Sequence, residues 1–304
     1  MGVDLDRLLT EARNPKTKDI DSMQTVDILT LINEEDKSVP IVVSSRIPLI
    51  AEAVDRYVKT IRSGGRIFYV GAGTSGRLGI IDAAECPPTF RTPPDLVRGL
   101  IAGGPDAVFR AKEGAEDSAA DGMKAVSEAG VRAGDLVIGL AASGRTPWVV
   151  AALKRAKEVG ARTVGIDCTP NSELSDLCDL CISVPTGPEV IAGSTRMKAA
   201  TAQKLILTMI STASMIKLGK VYGNLMVDLQ PWSEKLRSRA RKILALTTGL
   251  SPSEADRLLQ DAGYNVKVAL VMAKTGQDRE KASELLKRSG GFVRKAIELG
   301  GGQP

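Results

Sequence analysis

The sequence contains no histidine among its 304 residues. Histidine is the usual general base near neutral pH and the commonest zinc ligand, so proton transfer must fall to carboxylates, Lys, Tyr, Cys or water. Aromatic residues make up only 3% of the chain, and therefore Leu, Ile, Val and Ala must build the core. These absences limit which residues can transfer protons and which can form the core.

Cysteine is also scarce, with four residues: Cys86, Cys168, Cys178 and Cys181. The last two have C-x-x-C spacing, but a single pair with no histidine and no second pair is poor evidence for zinc. We interpret the four cysteines as reduced, apolar residues bordering a buried strand.

Charge and hydropathy exclude two classes of partner. Lys and Arg number 41 against 36 Asp and Glu, a formal net charge of +5, and the basic residues are scattered. No basic block is interleaved with aromatics, which predicts no nucleic-acid partner and suits an anionic small molecule. The most apolar long segment, 199–218, contains Lys204 and Lys217 and is typical of a buried helix rather than a membrane span. With no signal-peptide pattern at the N-terminus, we expect a cytoplasmic protein with no membrane partner.

Short apolar runs alternate with helical patterns through the middle of the chain. This alternation favours an α/β fold with a doubly wound, mainly parallel five-stranded sheet. In such sheets ligands bind beyond the carboxyl ends of the strands. The predicted strands are 66–70, 96–102, 136–140, 163–167 and 180–184.

Three regions are predicted along the chain. Residues 1–45 form an arm with one helix around 25–33, and residues 46–230 form the sheet domain. Residues 231–304 change to short amphipathic patterns, which predict a connecting helix and a small all-helical, three-helix (UBA-like) domain. A capping pattern at Ser251-Pro252-Ser253-Glu254 marks a helix start in this last region. We see no chemistry in it and favour an accessory or dimer-stabilising role.

The glycine-rich segment 71–76 (GAGTSG) follows the first strand and is predicted to be a turn, with a helix starting at Arg77. A strand, such a turn and a helix N-terminus together form an anion site. A dinucleotide site should also place an acid roughly 20 residues further on, at the tip of the second strand. No acid stands at that tip, and Thr74 and Ser75 suit a monophosphate. A phosphosugar site is favoured over a nucleotide site and over a purely structural turn.

Two further hydroxyl-rich turns precede helices. Ser143-Gly144-Arg145 repeats Ser75-Gly76-Arg77 and is followed by Thr146, and Ser194-Thr195 precedes the long apolar helix. These side chains either complete the anion site or cap the helices that follow. The sequence leaves both open.

Two glutamates are candidate acids or bases. Glu85 precedes Cys86-Pro87-Pro88, where a helix is predicted to stop in a mainly apolar setting. Such a setting favours the protonated carboxyl that general acid catalysis needs. The alternative is that Glu85 is a solvated carboxylate at a helix end with no catalytic role. Glu116 lies near a helix start, where it can equally stabilise the first turn.

These motifs together closely resemble the N-acetylmuramic acid 6-phosphate etherase family. The resemblance covers nearly the whole chain, and its core is similar to a sugar isomerase (SIS) domain. Ala200 stands where glycine is expected and Trp148 where tyrosine is frequent. The segments that carry the resemblance are TEARNP (10–15), GAGTSGRLGIIDAAECPPTF (71–90), GAED (114–117), AASGRTP (141–147), GSTRMKAATAQK (193–204) and GKVYGNLMVD (219–228).

The resemblance implies cleavage of a lactyl ether, giving N-acetylglucosamine 6-phosphate and D-lactate in bacterial cell-wall amino sugar recycling. It implies a homodimer, and it matches Glu85 to the family's proton donor and Glu116 to its second active-site glutamate. Two carboxylates suffice for this reaction without metal, redox cofactor or histidine. The expected substrate-binding residues are Gly73, Thr74, Ser75, Arg77, Ser143, Arg145, Thr146, Ser194, Thr195 and Lys198.

Two other functions stay open at this point. An aldose–ketose phosphosugar isomerase would use the same phosphate site and C2 proton abstraction but release no lactate. A non-catalytic phosphosugar-binding regulator would bind without turnover and would not need both glutamates.

Overall fold

The computed structural model describes residues 11–229 and 234–303. The N-terminal ten residues of the predicted arm and the predicted domain boundary at 230/231 lie outside those ranges. The strands are β1 (Ile67–Gly71), β2 (Val97–Ile101), β3 (Leu136–Leu140), β4 (Arg162–Asp167) and β5 (Leu180–Ser183). The α-helices are α1 (Thr25–Ser44), α2 (Ile47–Arg62), α3 (Gly73–Phe90), α4 (Ala119–Glu128), α5 (Pro147–Glu158), α6 (Glu173–Leu177), α7 (Lys198–Lys217), α8 (Glu234–Thr248), α9 (Pro252–Asp261), α10 (Val266–Thr275), α11 (Arg279–Arg288) and α12 (Val293–Leu299).

The five strands form one sheet in the order β2-β1-β3-β4-β5, and every neighbouring pair is parallel. This confirms the predicted doubly wound α/β architecture. All five residues of β1 and all five of β3 are buried, as expected for central strands of a parallel sheet. The strand order reverses between β1 and β3, so the carboxyl ends of these two strands flank the switch point where open α/β sheets bind ligands.

The turn that follows β1 is shorter than the sequence predicts. Strand β1 continues to Gly71 and α3 begins at Gly73, so the helix starts four residues before the predicted Arg77. Glycine is needed here for close packing: a β-carbon on Gly76 would lie 2.6 Å from the Gly71 carbonyl oxygen. Gly73 also has a φ of +52°. The glycines bring the helix N-terminus against the strand end instead of lengthening the loop.

Helix α3 does not stop before the two prolines. It continues through Pro87 and Pro88 to Phe90, and the Arg91 N–H donates to the Pro87 carbonyl at 2.9 Å. Proline removes its own N–H bond but can still accept one, which allows a last turn to form after it. The prediction that the helix ends at Glu85 was therefore wrong.

The sequence pattern predicts a mostly helical segment over 107–130, but the structure is less helical there. The 3₁₀ turns Pro105–Val108 and Ala115–Asp117 precede α4, which takes up only the later part of the segment. Gly114 adopts the left-handed conformation, with φ +72°, which interrupts a helix there. Ser118 then caps α4 by accepting the Asp121 N–H.

The helical C-terminal region has an apolar core to which each of its helices contributes. The predicted capping box at Ser251 and Glu254 is present at the start of α9. Helix α12 is additional to the connecting helix and the three helices that the sequence predicts. Representative core residues, at most 4% exposed, are Ile243 of α8, Leu259 of α9, Leu270 of α10, Leu285 of α11 and Ile297 of α12.

The chain forms two compact units, and each unit combines segments that are separate in the sequence. The first comprises the described residues up to Ala84 together with Pro94–Ser211, and the second comprises Glu85–Pro93 and the described residues from Thr212 onward. The three predicted regions stay a prediction. Within 11–229 and 234–303, no helix has both the length and the apolar character that a bilayer crossing requires.

In the first unit, hydrogen bonds to the buried carboxylate of Glu35 connect the N-terminal arm to α7. The Glu35 carboxylate accepts from Asn14 Nδ2 at 2.7 Å, from Lys16 Nζ at 2.9 Å and from Lys198 Nζ at 2.7 Å. Burial alone would raise the pKa of Glu35, but the hydrogen bonds from these three residues outweigh it and lower the pKa to about 2. The ionised form is therefore the one that the fold stabilises.

We expect this network to weaken in acid. Because the pKa of Glu35 falls from 4.5 to about 2 on folding, its contribution is complete above about pH 4.5 and is lost as the pH falls towards 2. Glu35→Gln should therefore destabilise the protein strongly at pH 6 and much less at pH 2. Denaturant unfolding of both proteins at pH 6, 4, 3 and 2 measures the difference, which would stay constant if Glu35 were not linked to folding in this way.

Candidate active site

A polar cavity of about 220 Å³ lies in the first unit, where the segments after β1 and β3 meet. The helices that follow these strands, α3 and α5, begin beside it, so backbone N–H groups and the positive ends of two helix dipoles favour an anion there. The lining residues are Glu11, Ala72, Gly73, Thr74, Ser75, Glu116, Leu140, Ala141, Ala142, Ser143, Thr146, Gly193 and Thr195.

Five hydroxyl side chains from the three predicted turns share this lining. Thr74 and Ser75 come from the start of α3, Ser143 and Thr146 from the turn after β3, and Thr195 from the loop before α7. Thr146 is the N-cap residue of α5, yet its side chain makes no capping hydrogen bond. Thr146 therefore lines the cavity and does not have the helix-capping role that the sequence left open.

Ser75 is positioned by a residue that sequence reasoning missed. Its Oγ donates to Gln203 Oε1 at 2.7 Å, and Gln203 is fully buried on α7. Among the described residues, Gln203 Nε2 has no hydrogen-bond partner. Gln203 belongs to the motif 193–204 that carried the family resemblance, but nothing in its local pattern indicates a contact 128 residues away.

Two carboxylates line the cavity. Glu116 was predicted; its side chain is exposed in the 3₁₀ turn Ala115–Asp117. Glu11 was not predicted as a site residue, although it lies in the N-terminal motif 10–15. Its Oε2 would come within 2.9 Å of a β-carbon on Gly193, so a larger residue at 193 would displace this carboxylate from its present position.

Glu85 is placed differently from the prediction. It lies on α3, in the second unit, and its side chain is exposed instead of lying in an apolar setting. Its role as proton donor remains a prediction that rests on the family motif.

Two cationic side chains that were predicted to bind substrate make other contacts in this structure. The Arg77 guanidinium donates to the carbonyls of Val108 at 2.9 Å and Ala107 at 2.7 Å. The Lys198 ammonium lies in the buried ion pair with Glu35. Neither side chain lines the 220 Å³ cavity, and the same is true of Arg145 and Ser194. A role for these four residues in binding substrate stays a prediction.

A second cavity, of about 210 Å³, adjoins the first. The two share Ala72, Gly73 and Glu116. Arg77, which does not line the first cavity, lines this one. Its remaining lining residues are Ala102, Ala107, Ala111, Lys112, Glu113, Gly114 and Ala115.

The cysteines and the two departures from the family pattern lie outside both linings. Burial raises the pKa of the thiols of Cys168 and Cys178 to about 12, so neither is a thiolate base near neutral pH. Trp148 is 2% exposed and packs in the core between α5 and the sheet, and Ala200 is 7% exposed on α7. Neither departure changes the walls of the cavities.

Family models and a solved structure identify the class of fold. A model described as the glucokinase regulatory protein N-terminal SIS domain matches residues 49–157, and the SIS domain model matches residues 116–213. The structure of a phosphoheptose isomerase from Francisella tularensis aligns with a TM-score of 0.51 and 17% identity, covering 64% of this chain and 100% of that chain. At that identity the likeness concerns the fold. The sheet, its switch-point cavity and these matches define an SIS-domain protein.

Sequence relatives then identify the family within this class. An N-acetylmuramic acid 6-phosphate etherase from Caldanaerobacter subterraneus subsp. tengcongensis is 54% identical over 295 residues, which cover 97% of this chain and 96% of the relative. One from Mesorhizobium japonicum is 51% identical over 294 residues, with coverage of 97% and 96%. The chain belongs to the N-acetylmuramic acid 6-phosphate etherase family.

Proposed function

We propose that this protein is a carbon–oxygen lyase that cleaves the D-lactyl ether of N-acetylmuramic acid 6-phosphate. The products are N-acetylglucosamine 6-phosphate and D-lactate, and the reaction serves cell-wall amino sugar recycling in the cytoplasm. The observation that carries this proposal is identity of about one half to etherases over nearly the whole chain. The hydroxyl-lined cavity with Glu116 at its edge is the site where the substrate would bind.

The chemistry requires two proton-transfer groups. In the open-chain sugar the C2 proton is acidic because it lies next to the C1 aldehyde. A base removes this proton, the C3–O bond breaks, and an acid protonates the departing lactate oxygen, which leaves a C2–C3 double bond conjugated to the aldehyde. Water then adds at C3 and a proton returns to C2. The enzyme is thus regenerated without an external oxidant or reductant.

Each step has candidate residues in this chain. Thr74, Ser75, Ser143, Thr146 and Thr195, with the N-terminal ends of α3 and α5, hold the phosphate. Glu116 acts at C2 or on the water that adds. Glu85 protonates the leaving ether oxygen.

One assay separates this function from its two rivals. The purified protein is incubated with N-acetylmuramic acid 6-phosphate, and D-lactate is measured alongside the sugar phosphates. An etherase releases lactate and N-acetylglucosamine 6-phosphate in equal amounts. No lactate, together with interconversion of an aldose and a ketose phosphate that carry oxygen at C2, would indicate an isomerase, and binding without turnover a regulator; either result would overturn the proposal.

A homodimer, with each active site completed across the interface, is part of the proposal. Glu85 is exposed in the single chain, whereas an efficient general acid needs a partly desolvated setting. Helix α1 also exposes apolar side chains, with Val26 at 72%, Leu29 at 61% and Ile41 at 71%. A second copy would cover such surfaces.

Mixing two inactive variants tests whether the sites are shared. If Glu85 of one subunit acts with Glu116 of the other, dimers re-formed from equal amounts of Glu85→Gln and Glu116→Gln proteins contain one intact site per mixed dimer. Random exchange should then restore about a quarter of wild-type activity. Each variant exchanged with itself is the control. No recovery, with subunit exchange verified by mass spectrometry of differently tagged chains, would contradict shared sites.

A further inference from the structure

The second cavity combines a wall of small apolar side chains with charged side chains that include two cations. Ala102 and Ala107 are each 4% exposed, so their methyl groups are fixed in the packed interior behind the cavity. Its lining also carries two cations, Arg77 and Lys112, and two carboxylates, Glu113 and Glu116. A ligand with a small apolar group next to a carboxylate could contact the alanine methyl groups and the two cations at once.

Both cations have defined positions and retain donors. The Arg77 bonds to Val108 and Ala107 use Nε and Nη2 but not Nη1. Lys112 Nζ donates to the Gly103 carbonyl at 2.9 Å and lies 3.8 Å from Asp106 Oδ2. An ammonium has three N–H donors and a guanidinium five, so each can bind an anion while these contacts hold it in place.

The two cavities meet at Glu116, the residue that we propose acts near C2 of the sugar. Glu116 lines both, as do Ala72 and Gly73. If the phosphate lies among the hydroxyls of the first cavity and Glu116 acts near C2, the substituent on C3 extends past Glu116. The second cavity, which Glu116 also lines, is the adjoining space that could receive such a substituent.

We propose that the second cavity is the subsite for the lactyl group of the substrate. Lys112 and Arg77 bind the lactyl carboxylate, and the alanine wall accepts the lactyl methyl group. This inference rests on the proposed function and adds to it a specificity determinant outside the phosphate site. It also accounts for product release, because after C3–O cleavage the lactate no longer benefits from the binding energy of the sugar phosphate.

Lys112→Met tests the subsite, with Lys124→Met on α4 as the matched control. Lys124 is likewise a solvent-exposed lysine near one carboxylate, with 68% of its side chain exposed, but it lines neither cavity. Losing one charge-assisted contact should lower kcat/KM for N-acetylmuramic acid 6-phosphate by about tenfold in Lys112→Met and leave the control unchanged. The Kd for N-acetylglucosamine 6-phosphate, which has no lactyl group, should be unchanged in both variants.

A substrate change makes the test specific for the carboxylate. The wild-type protein should discriminate against the lactamide analogue, in which the carboxylate is an uncharged amide, and Lys112→Met should discriminate much less. Ala111→Leu, at an exposed position of the lining, should weaken substrate binding by filling the cavity while sparing the product sugar. Circular dichroism and thermal unfolding confirm that each variant folds.

The results separate this inference from the proposed function. If the wild type releases lactate, either of two results would overturn the subsite alone. One is unchanged kinetics in Lys112→Met; the other is that Lys112→Met loses affinity for the substrate and for the product sugar equally. If the wild type releases no lactate, the proposed function fails. Equilibrium titration with the uncleaved substrate then decides the subsite, which requires weaker binding to Lys112→Met than to the wild type.

Discussion

Replacing Glu85 by Gln is expected to abolish lactate release while binding of N-acetylglucosamine 6-phosphate survives. The amide has the shape of the carboxyl group but cannot donate a proton to the departing ether oxygen. General acid catalysis typically contributes about 10²- to 10⁴-fold, and a poor alkoxide leaving group places the loss towards the upper part of that range. Steady-state lactate production and isothermal titration with the product measure the two halves of the prediction.

The matched control for this variant is Glu128→Gln on α4. Its side chain is 68% exposed and lines neither cavity, so its activity should equal that of the wild type. Near wild-type turnover by Glu85→Gln would remove Glu85 from the mechanism. Loss of product binding together with activity would show instead that Glu85 supports the binding site or the fold.

Replacing Glu116 by Gln is expected to reduce lactate release by a similar factor, about 10²- to 10⁴-fold, for a different reason. Glu116 lines the cavity together with the hydroxyls that we propose bind phosphate, so the variant loses the carboxylate that we propose acts at C2 or on the water. Product binding should persist, because the variant leaves unchanged the hydroxyls and helix ends that we propose hold the phosphate.

Solvent exchange distinguishes the two glutamates. If Glu116 takes the C2 proton, Glu116→Gln should not incorporate deuterium at C2 of the substrate in D₂O. Glu85→Gln should still do so, because only the later departure of lactate is blocked. NMR of the recovered sugar phosphate gives the measurement, and the reverse pattern would exchange the two roles.

Much of the sheet was predictable because its signals are local. Strand β3 occupies 136–140 as predicted, and the alternation of apolar runs with helical patterns correctly indicated a parallel five-stranded sheet. Errors arose where glycine or proline had more than one structural use. Gly76 allows α3 to pack against Gly71, and Pro87 lies within the last turns of a helix; both were interpreted as breaks.

The site was only partly predictable because its remaining features depend on distant contacts. Hydroxyls next to strand ends, such as Ser75 and Ser143, are visible in the sequence and do share one cavity. The pairing of Lys198 with Glu35 joins residues 163 positions apart, and no local pattern indicates it. Glu11 reaches the cavity only because the N-terminal arm folds back to Gly193.

The fate of solvent oxygen tests the central claim most directly. The wild-type protein is incubated with N-acetylmuramic acid 6-phosphate in water enriched in ¹⁸O, and both products are analysed by mass spectrometry. Elimination followed by water addition breaks the bond between C3 and the ether oxygen, so the label should appear at C3 of N-acetylglucosamine 6-phosphate and not in the D-lactate hydroxyl. Label in the lactate hydroxyl, or no lactate at all, would contradict the mechanism.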